Sequence, residues 1–334
     1  MPRVFVSDFI PGDILEPLSA AASVEVWDGG GHVPAATLVE MLAGCSGWLS
    51  MLSDTIDAKL LDQVPDLDVI SQMSVGVDNI DVAACREHGV AVGHTPDVLT
   101  ETTADTAFAL MAAAVRRLPE GEAIVRAGAW EPWDPWHFLS GDLHGSTLGI
   151  VGMGRIGQAI ARRARGFAMP VLYTSRTSRQ VPDAMRVGLD ELLRRSDVVV
   201  VAAPLNAETR GMIGRSQLAS MKETAFLVNI ARGQLVDTAA LVEALREGRI
   251  GGAALDVTDP EPLPPDHPLL DFSNCLVVPH IGSATVPARR SMARLAVANL
   301  VAFFRGEPMP AWLPGSAPHG TGADPASDLP TGSR

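Results

Sequence analysis

The stretch TLGIVGMGRIGQAIARRARGF, Thr147 to Phe167, decides the fold. Thr147 to Val151 is a short apolar run of strand character, and Gln158 to Phe167 continues as a helix. Between them Gly152-Met153-Gly154-Arg155-Ile156-Gly157 fits G-x-G-x-x-G. The first glycine permits a tight turn. The second lets the backbone approach a pyrophosphate, and the third lets helix and strand pack closely. Amides at the helix N-terminus then face the phosphates, and the helix dipole favours their negative charge. By itself the pattern is a weak signal, often only a glycine-rich turn. Between an apolar strand and a helix it predicts a dinucleotide site formed by Gly152, Met153, Gly154, Arg155, Ile156 and Gly157.

Around this anchor the chain has 334 residues, enough for two domains of ordinary size. The net charge of −13 argues against nucleic acid or an anionic membrane as partner. The longest apolar runs, such as Val198 to Leu205, are far too short to span a bilayer. Met1 to Ile10 has no signal-peptide layout. Cys45, Cys85 and Cys275 lie far apart without paired metal spacing, so inert thiols, no metal site and a cytoplasmic location are expected.

Residues 3 to 95 alternate strand and helix candidates. Strands are expected near Val4-Val6, Val24-Trp27, Gly47-Met51, Leu67-Ser71 and Val90-Gly93. Helices are expected near Ile14-Ala21, Ala35-Ala43, Ala58-Val64 and Val82-Glu87. Thr100 to Leu118 is a long helix pattern with Ala107, Leu110, Met111, Ala114 and Val115 on one face. Residues 119 to 146 are broken by proline and carry Trp130, Trp133 and Trp136. Such clustering suits contact with another domain or subunit, or core packing, about equally. After the glycine turn, strands at Val171-Thr174, Val198-Ala202, Phe226-Asn229, Ala253-Asp256 and Cys275-Val278 complete a six-stranded domain, and Ser291 to Phe304 is a last helix. Residues 313–334 are rich in Pro, Gly and Ser and are read as a disordered tail.

Enzymes of this fold that use NAD place an acidic residue after the second strand, about 20 residues beyond the glycines. The corresponding stretch here, Tyr173 to Arg179, contains no carboxylate. Ser175, Arg176 and Thr177 instead suit a 2′-phosphate, with Arg179 a further candidate. NADPH is therefore expected as cofactor, with NADH weaker.

Three further pieces follow strands of the same sheet, where open α/β sheets bind ligands. They are Asn229-Ile230-Ala231-Arg232-Gly233, the run Leu255-Asp256 through Glu261-Pro262-Leu263, and Pro279-His280-Ile281-Gly282-Ser283. Arg232 is a two-pronged cation suited to a carboxylate. Hydride delivery to a ketone carbon leaves charge on oxygen, and histidine is the natural proton donor near neutral pH. A neighbouring glutamate would fix its tautomer.

With these pieces in order, the sequence resembles the D-isomer-specific 2-hydroxyacid dehydrogenases, most of all the glyoxylate/hydroxypyruvate reductases. The resemblance runs to about Leu313. It rests on Ser74 to Asp81, Thr95 to Thr100, the glycine turn, Asn229 to Gly233, Leu255 to Leu263 and Pro279 to Thr285. It implies His280 as general acid/base, Glu261 as its orienting partner and Arg232 on the substrate's carboxylate and carbonyl oxygen. It implies Val75 and Gly76 as amide donors to that carboxylate, with Leu52 on the wall beside them. Thr103, Pro204, Thr209, Ile230, Asp256, His280 and Gly282 would lie around the cofactor. It further implies two doubly wound parallel-sheet domains: a Rossmann cofactor domain, 99–284, inserted in a flavodoxin-like substrate domain, 1–98, to which a C-terminal helix, 285–312, returns. The active site of such proteins lies in the cleft between the domains.

The expected activity is NAD(P)H-dependent reduction of glyoxylate to glycolate and of hydroxypyruvate to D-glycerate by a homodimer. Alternatives are another 2-ketoacid reductase, a phosphite dehydrogenase, or a nucleotide-sensing corepressor-like module. Glu261 disfavours formate oxidation, because formate dehydrogenases carry glutamine there. A tryptophan that reaches the partner's active site in the reductases has Trp136 as nearest counterpart, with Trp133 and His137 also in register. His32, His88, His94, His137, His144, His267 and His319 have no catalytic context and are read as structural or solvent-exposed. Asp78, Asn79 and Asp81 are read as a turn and helix cap.

Overall fold

A computed structural model describes residues 1–318; the remainder of the tail, with His319, lies outside the described residues. The chain divides into two compact units, Met1–Leu99 with the chain from Thr285 onward, and Thr100–Ala284.

The first unit alternates strand and helix from its start: β1 (Arg3–Val6), α1 (Gly12–Ser19), β2 (Ser23–Val26), α2 (Ala35–Leu42), β3 (Gly47–Ser50), α3 (Ala58–Leu61), β4 (Val69–Gln72), α4 (Val82–Glu87) and β5 (Ala91–Gly93). The strands pair in the order β2-β1-β3-β4-β5, all parallel. This is the flavodoxin-like order. Parallel strands require crossovers, so both faces are covered and the strands are apolar on both sides. One face packs Leu42, Trp48, Ile70 and Val92, the other Leu18, Leu49, Val69 and Leu300. Asp57 and Asp81 cap α3 and α4, accepting from the amides of Leu60 and Ala84, each at 2.9 Å. Asp81 is thus a helix cap, as its position in the sequence suggests.

The second unit opens with α5 (Thr100–Val115) and α6 (Leu118–Arg126). It continues through β6 (Leu148–Val151), α7 (Arg155–Ala164), β7 (Val171–Thr174), β8 (Ala184–Arg186), α8 (Leu189–Arg195) and β9 (Val198–Val201). It ends with α9 (Arg215–Ser220), β10 (Phe226–Asn229), α10 (Thr238–Arg246), β11 (Gly252–Leu255) and β12 (Cys275–Val277). The sheet order is β12-β11-β10-β9-β6-β7-β8, again all parallel. The order reverses direction beside β6, the strand that feeds the glycine turn, as in the Rossmann arrangement.

The sheet has seven strands rather than the expected six. The additional one, β8, is three residues long, follows Pro182, and is an edge strand with only Ala184 half-buried, so it shows almost no hydrophobic pattern. The helix expected over 100–118 stops at Val115. Arg117 adopts left-handed backbone (φ 52°) and α6 begins. Pro119 stands in its first turn, where a missing N–H costs nothing, so it starts a helix rather than breaking one. Trp130, Trp133 and Trp136 are 77%, 85% and 81% exposed in the single chain, which removes core packing as their role.

The final helix, α11 (Val286–Phe304), belongs to the first unit and lies over α1 and strands β3, β4 and β5. Its buried Asn299 donates to Ser71 Oγ at 3.2 Å and to His94 O at 3.1 Å, and accepts from Ala311 N at 3.0 Å. The chain stays packed past the expected end at 312. Leu313 N donates to Val92 O at 2.7 Å, and the buried Ser316 hydroxyl accepts from Val92 N at 3.1 Å. The edge of β5 offers those backbone groups, and a compositional reading cannot see them.

Burial pushes the thiols of Cys85 and Cys275 up to about 12, and that of Cys45 up as well. At pH 8 the folded protein should therefore react only slowly with a thiol-specific disulfide reagent, and fully once unfolded. Rapid labelling of the folded chain would contradict this burial.

Candidate active site

Because every pair in the second sheet is parallel, the C-terminal ends of its strands lie along one edge. The glycine turn follows β6, Ser175 to Thr177 follow β7, and Pro204 to Thr209 follow β9. Asn229 to Gly233 follow β10, Asp256 follows β11, and His280 follows β12. The topology thus collects residues more than a hundred positions apart.

At the glycine turn each glycine has a distinct steric reason. Gly152 has φ +102°, and a side chain there would meet the Ala202–Ala203 backbone at 2.6–2.7 Å. A side chain on Gly157 would lie 2.2 Å from Gly152 O. Gly154, by contrast, faces open space, with nothing within 4 Å of its missing Cβ. That opening at the N-cap of α7, beside first-turn amides lacking intrahelical acceptors, fits a pyrophosphate. Met153 is buried under the turn, and its carbonyl accepts from Gln158 Nε2 at 3.3 Å. Gly157→Ala should destabilise the fold by at least about 1–3 kcal/mol, the usual overpacking range, since the atom it strikes is backbone. Thermal melting measures this, and an unchanged Tm would contradict the close approach.

A second feature also suits a bound nucleotide. Thr103, in the first turn of α5, is buried, and its hydroxyl has no hydrogen-bond partner among the described residues. It lies against Gly282, whose missing Cβ would sit 3.6 Å from Thr103 Cγ2. A buried hydroxyl without a partner is uncommon, and a ligand polar group would satisfy it. Thr209 holds the loop after β9, donating to Pro204 O at 2.8 Å, while Ile230 is buried directly after β10.

The catalytic candidates converge on His280. Its ring Nδ1 lies 2.5 Å from Glu261 Oε1. A carboxylate only accepts, so Nδ1 carries the proton and Nε2 is the nitrogen left to exchange one with a ligand. His280 has left-handed backbone (φ 51°), rare for a non-glycine residue. Two groups hold it there. Its N–H donates to Asp256 O at 2.9 Å, and the Asp256 carboxylate accepts from Ile281 N at 2.6 Å and Gly282 N at 2.9 Å. A Cβ on Gly282 would sit 2.6 Å from Asp256 Oδ2, so a larger residue there would displace that carboxylate. Asp256 therefore shapes the turn that presents His280. Burial raises its pKa, against the lowering effect of those two amides and of His280.

Glu261 lies between two cis prolyl bonds, Asp259-Pro260 and Glu261-Pro262. Burial pushes its pKa up. The His280 hydrogen bond and charge, the Thr258 amide and the Arg232 charge outweigh this and hold it below the ordinary carboxylate range. Arg232 reaches this loop because Gly233 follows it: a Cβ at 233 would lie 1.9 Å from Thr258 O. Asn229 folds the segment, its Nδ2 donating to Arg232 O at 2.8 Å and its Oδ1 accepting from Ala231 N at 3.1 Å. No role for Asn229 is expected from the sequence. Its signal is an Asn at a strand end, where a side-chain turn forms readily.

In the first unit, Leu52 follows β3, and Val75 and Gly76 follow β4. Asp54, fully buried, accepts from Met51 N at 2.7 Å and so shapes the turn containing Leu52; burial raises its pKa. Around Val75 the carbonyls are tied down. Ser74 O accepts from Thr95 N at 2.8 Å, Val75 O from His94 Nδ1 at 3.2 Å, and Gly76 O from Ser74 Oγ. Asp54 and His94 thus support the loops carrying the named residues, roles with no local sequence signal.

Comparison with known proteins gives the family. The family model described as "D-isomer specific 2-hydroxyacid dehydrogenase, NAD binding domain" matches residues 108–282. The chain is 45% identical over 317 residues to a glyoxylate reductase of Thermococcus gammatolerans, covering 92% of this chain and 95% of that one. It is 45% identical over 319 residues to the human glyoxylate reductase/hydroxypyruvate reductase, covering 93% and 97%. Among solved structures it is similar to an NADPH-dependent glyoxylate/hydroxypyruvate reductase of Sinorhizobium meliloti in complex with NADP and malonate. That match has a TM-score of 0.85 and 34% identity, covering 96% of this chain and 99% of that one. The second unit is therefore a nicotinamide-dinucleotide domain, and the chain belongs to the D-isomer-specific 2-hydroxyacid dehydrogenases.

Proposed function

We propose that this protein is an NADPH-preferring reductase of glyoxylate and hydroxypyruvate, forming glycolate and D-glycerate. The observation that supports this most is the 2.5 Å bond between His280 Nδ1 and Glu261 Oε1, with the Arg232 charge felt at the same carboxylate. When bound, the reduced nicotinamide supplies the hydride. Arg232 binds the substrate carboxylate and aligns the carbonyl beside His280. His280 Nε2 gives its proton to the carbonyl oxygen as charge develops there. Glu261 keeps the imidazole oriented by accepting the hydrogen bond from Nδ1. In the first unit, the amides of Val75 and Gly76 are proposed as further donors to a substrate carboxylate, with Leu52 on the wall beside them. The exposed Trp130, Trp133 and Trp136 suit contact with a second copy of the chain, in keeping with a homodimer.

The cofactor preference rests on the loop after β7, which holds Arg176 and no carboxylate. Arg176→Ala should raise the NADPH KM by roughly tenfold, about the loss of one charge-assisted contact, and leave that for NADH nearly unchanged. An equal effect on both cofactors would remove the 2′-phosphate contact. The activity itself is tested by steady-state kinetics on glyoxylate, hydroxypyruvate, pyruvate and phosphite with both cofactors. Glyoxylate and hydroxypyruvate with NADPH should give the highest kcat/KM. A higher value for pyruvate or phosphite would overturn the assignment.

A further inference from the structure

The geometry points to Arg186, the last residue of β8, as a positioning residue that sets cofactor preference through the Ser175–Arg176 loop. The inference rests on reading that loop as the 2′-phosphate site. Strand β8 lies alongside β7 with Tyr173 opposite Arg186, so the side chain starts beside the loop although ten residues later in the chain. Its Nη2 donates to Ser175 O at 2.9 Å and to Arg176 O at 3.3 Å.

The neighbouring bonds show why this counts. Tyr173 OH donates to Arg179 O at 2.7 Å and accepts from Arg179 N at 3.2 Å. Ser175 Oγ donates to Thr177 O at 2.7 Å. A hydroxyl has one proton, so here Ser175 turns its proton inward and offers an incoming anion only lone pairs. The loop's carbonyl oxygens would likewise repel a phosphate. Those of Ser175 and Arg176 are instead occupied by the guanidinium of Arg186, and those of Thr177 and Arg179 by hydroxyls. The loop is left with its cations as the anion-binding element.

The charge distribution agrees. In this unit Arg162, Arg163, Arg165 and Arg195 each pair with a carboxylate. Among the described residues Arg176, Arg179 and Arg186 pair with none, as is also true of Arg194, Arg210 and Arg246, in a chain of net charge −13. Uncompensated positive charge gathered at one strand end is a recognition feature for a dianion. Both carbonyls are met by the single Nη2 group of Arg186, so one charged donor holds the two loop oxygens.

The test is equilibrium binding of adenosine 2′,5′-diphosphate and adenosine 5′-diphosphate by calorimetry, which needs no turnover. Wild type should prefer the 2′-phosphorylated ligand. Arg186→Ala should weaken that ligand roughly tenfold, by misplacing the one charge-assisted contact that the Arg176 loop makes, and leave the 5′-diphosphate unchanged. If Arg186 acts through the loop, the double variant R176A/R186A should bind no more weakly than R176A alone. Equal weakening of both ligands, no weakening, or strictly additive losses would each overturn the positioning role. Wild type showing no preference for the 2′-phosphate would instead overturn the NADPH reading. A loss in R176A without one in R186A would overturn this inference alone. Arg186 is exposed on an edge strand. Should R186A fail to fold, Arg186→Gln carries the same comparison.

Discussion

Replacing His280 with alanine is expected to lower kcat for ketoacid reduction by about 10²–10⁴-fold, the range of a positioned general acid. Cofactor affinity should change little, because the proposed nucleotide contacts lie mainly at the glycine turn and the loop after β7. Stopped-flow binding of NADPH alongside steady-state turnover separates the two effects. Near-normal turnover would remove His280 as proton donor. The strained φ of 51° makes His280→Asn the better control, since asparagine tolerates left-handed backbone. It should fold as wild type does and still be inactive.

The partner carboxylate is expected to set the pH behaviour. Glu261 has a folded-state pKa below its ordinary value, chiefly because His280 outweighs the effect of burial. A depressed carboxyl contributes stability above its unfolded-state pKa and loses it as pH falls through the lower folded value. The His280–Glu261 bond should therefore persist below pH about 4.3, the ordinary glutamate value. The acid limb of kcat in the reduction direction is expected below that point. Glu261→Gln removes the charge and should abolish this limb while lowering kcat. A wild-type acid limb near pH 6, roughly the ordinary histidine range, would count against the pair as drawn.

Arg232→Ala is expected to reduce kcat/KM for glyoxylate by roughly 10²–10³-fold, the cost of removing one partner of a desolvated charge pair. Arg232→Lys should recover only part, because an ammonium cannot make the two-pronged contact. Both variants should keep nearly the wild-type melting temperature, since the Asn229 side chain folds this segment and the guanidinium's own backbone bond, to Ala231 O at 2.8 Å, is a local one. Unchanged glyoxylate kinetics would take Arg232 out of the site. A collapse in Tm would mean the guanidinium serves the fold instead.

Most of the architecture was legible because it depends on local pattern. Alternating apolar strands and helices, a glycine turn in the right context and aspartates at helix starts are each short-range signals. The misses have physical causes. The edge strand β8 has no two-sided burial to mark it. Pro119 begins a helix because the missing N–H falls where none is needed. Residues 313–317 pack against β5 through backbone bonds, to which composition is blind. The exposure of three tryptophans could not be told from core packing, since both use the same residues.

For the site the division is similar. By itself the sequence determined the chemistry available: a cation, a carboxylate and an imidazole, each following a strand of one parallel sheet, and a loop after β7 lacking the carboxylate that would exclude a 2′-phosphate. Only the tertiary structure decided which atoms meet. It put the His280 proton on Nδ1 against Glu261 and turned Asp256 into the clasp of the His280 turn. It also brought Arg186 to the carbonyls of Ser175 and Arg176. The reason is that such bonds join residues up to tens of positions apart, on neighbouring strand ends. Their partners are chosen by sheet order and register, which no local stretch of sequence encodes.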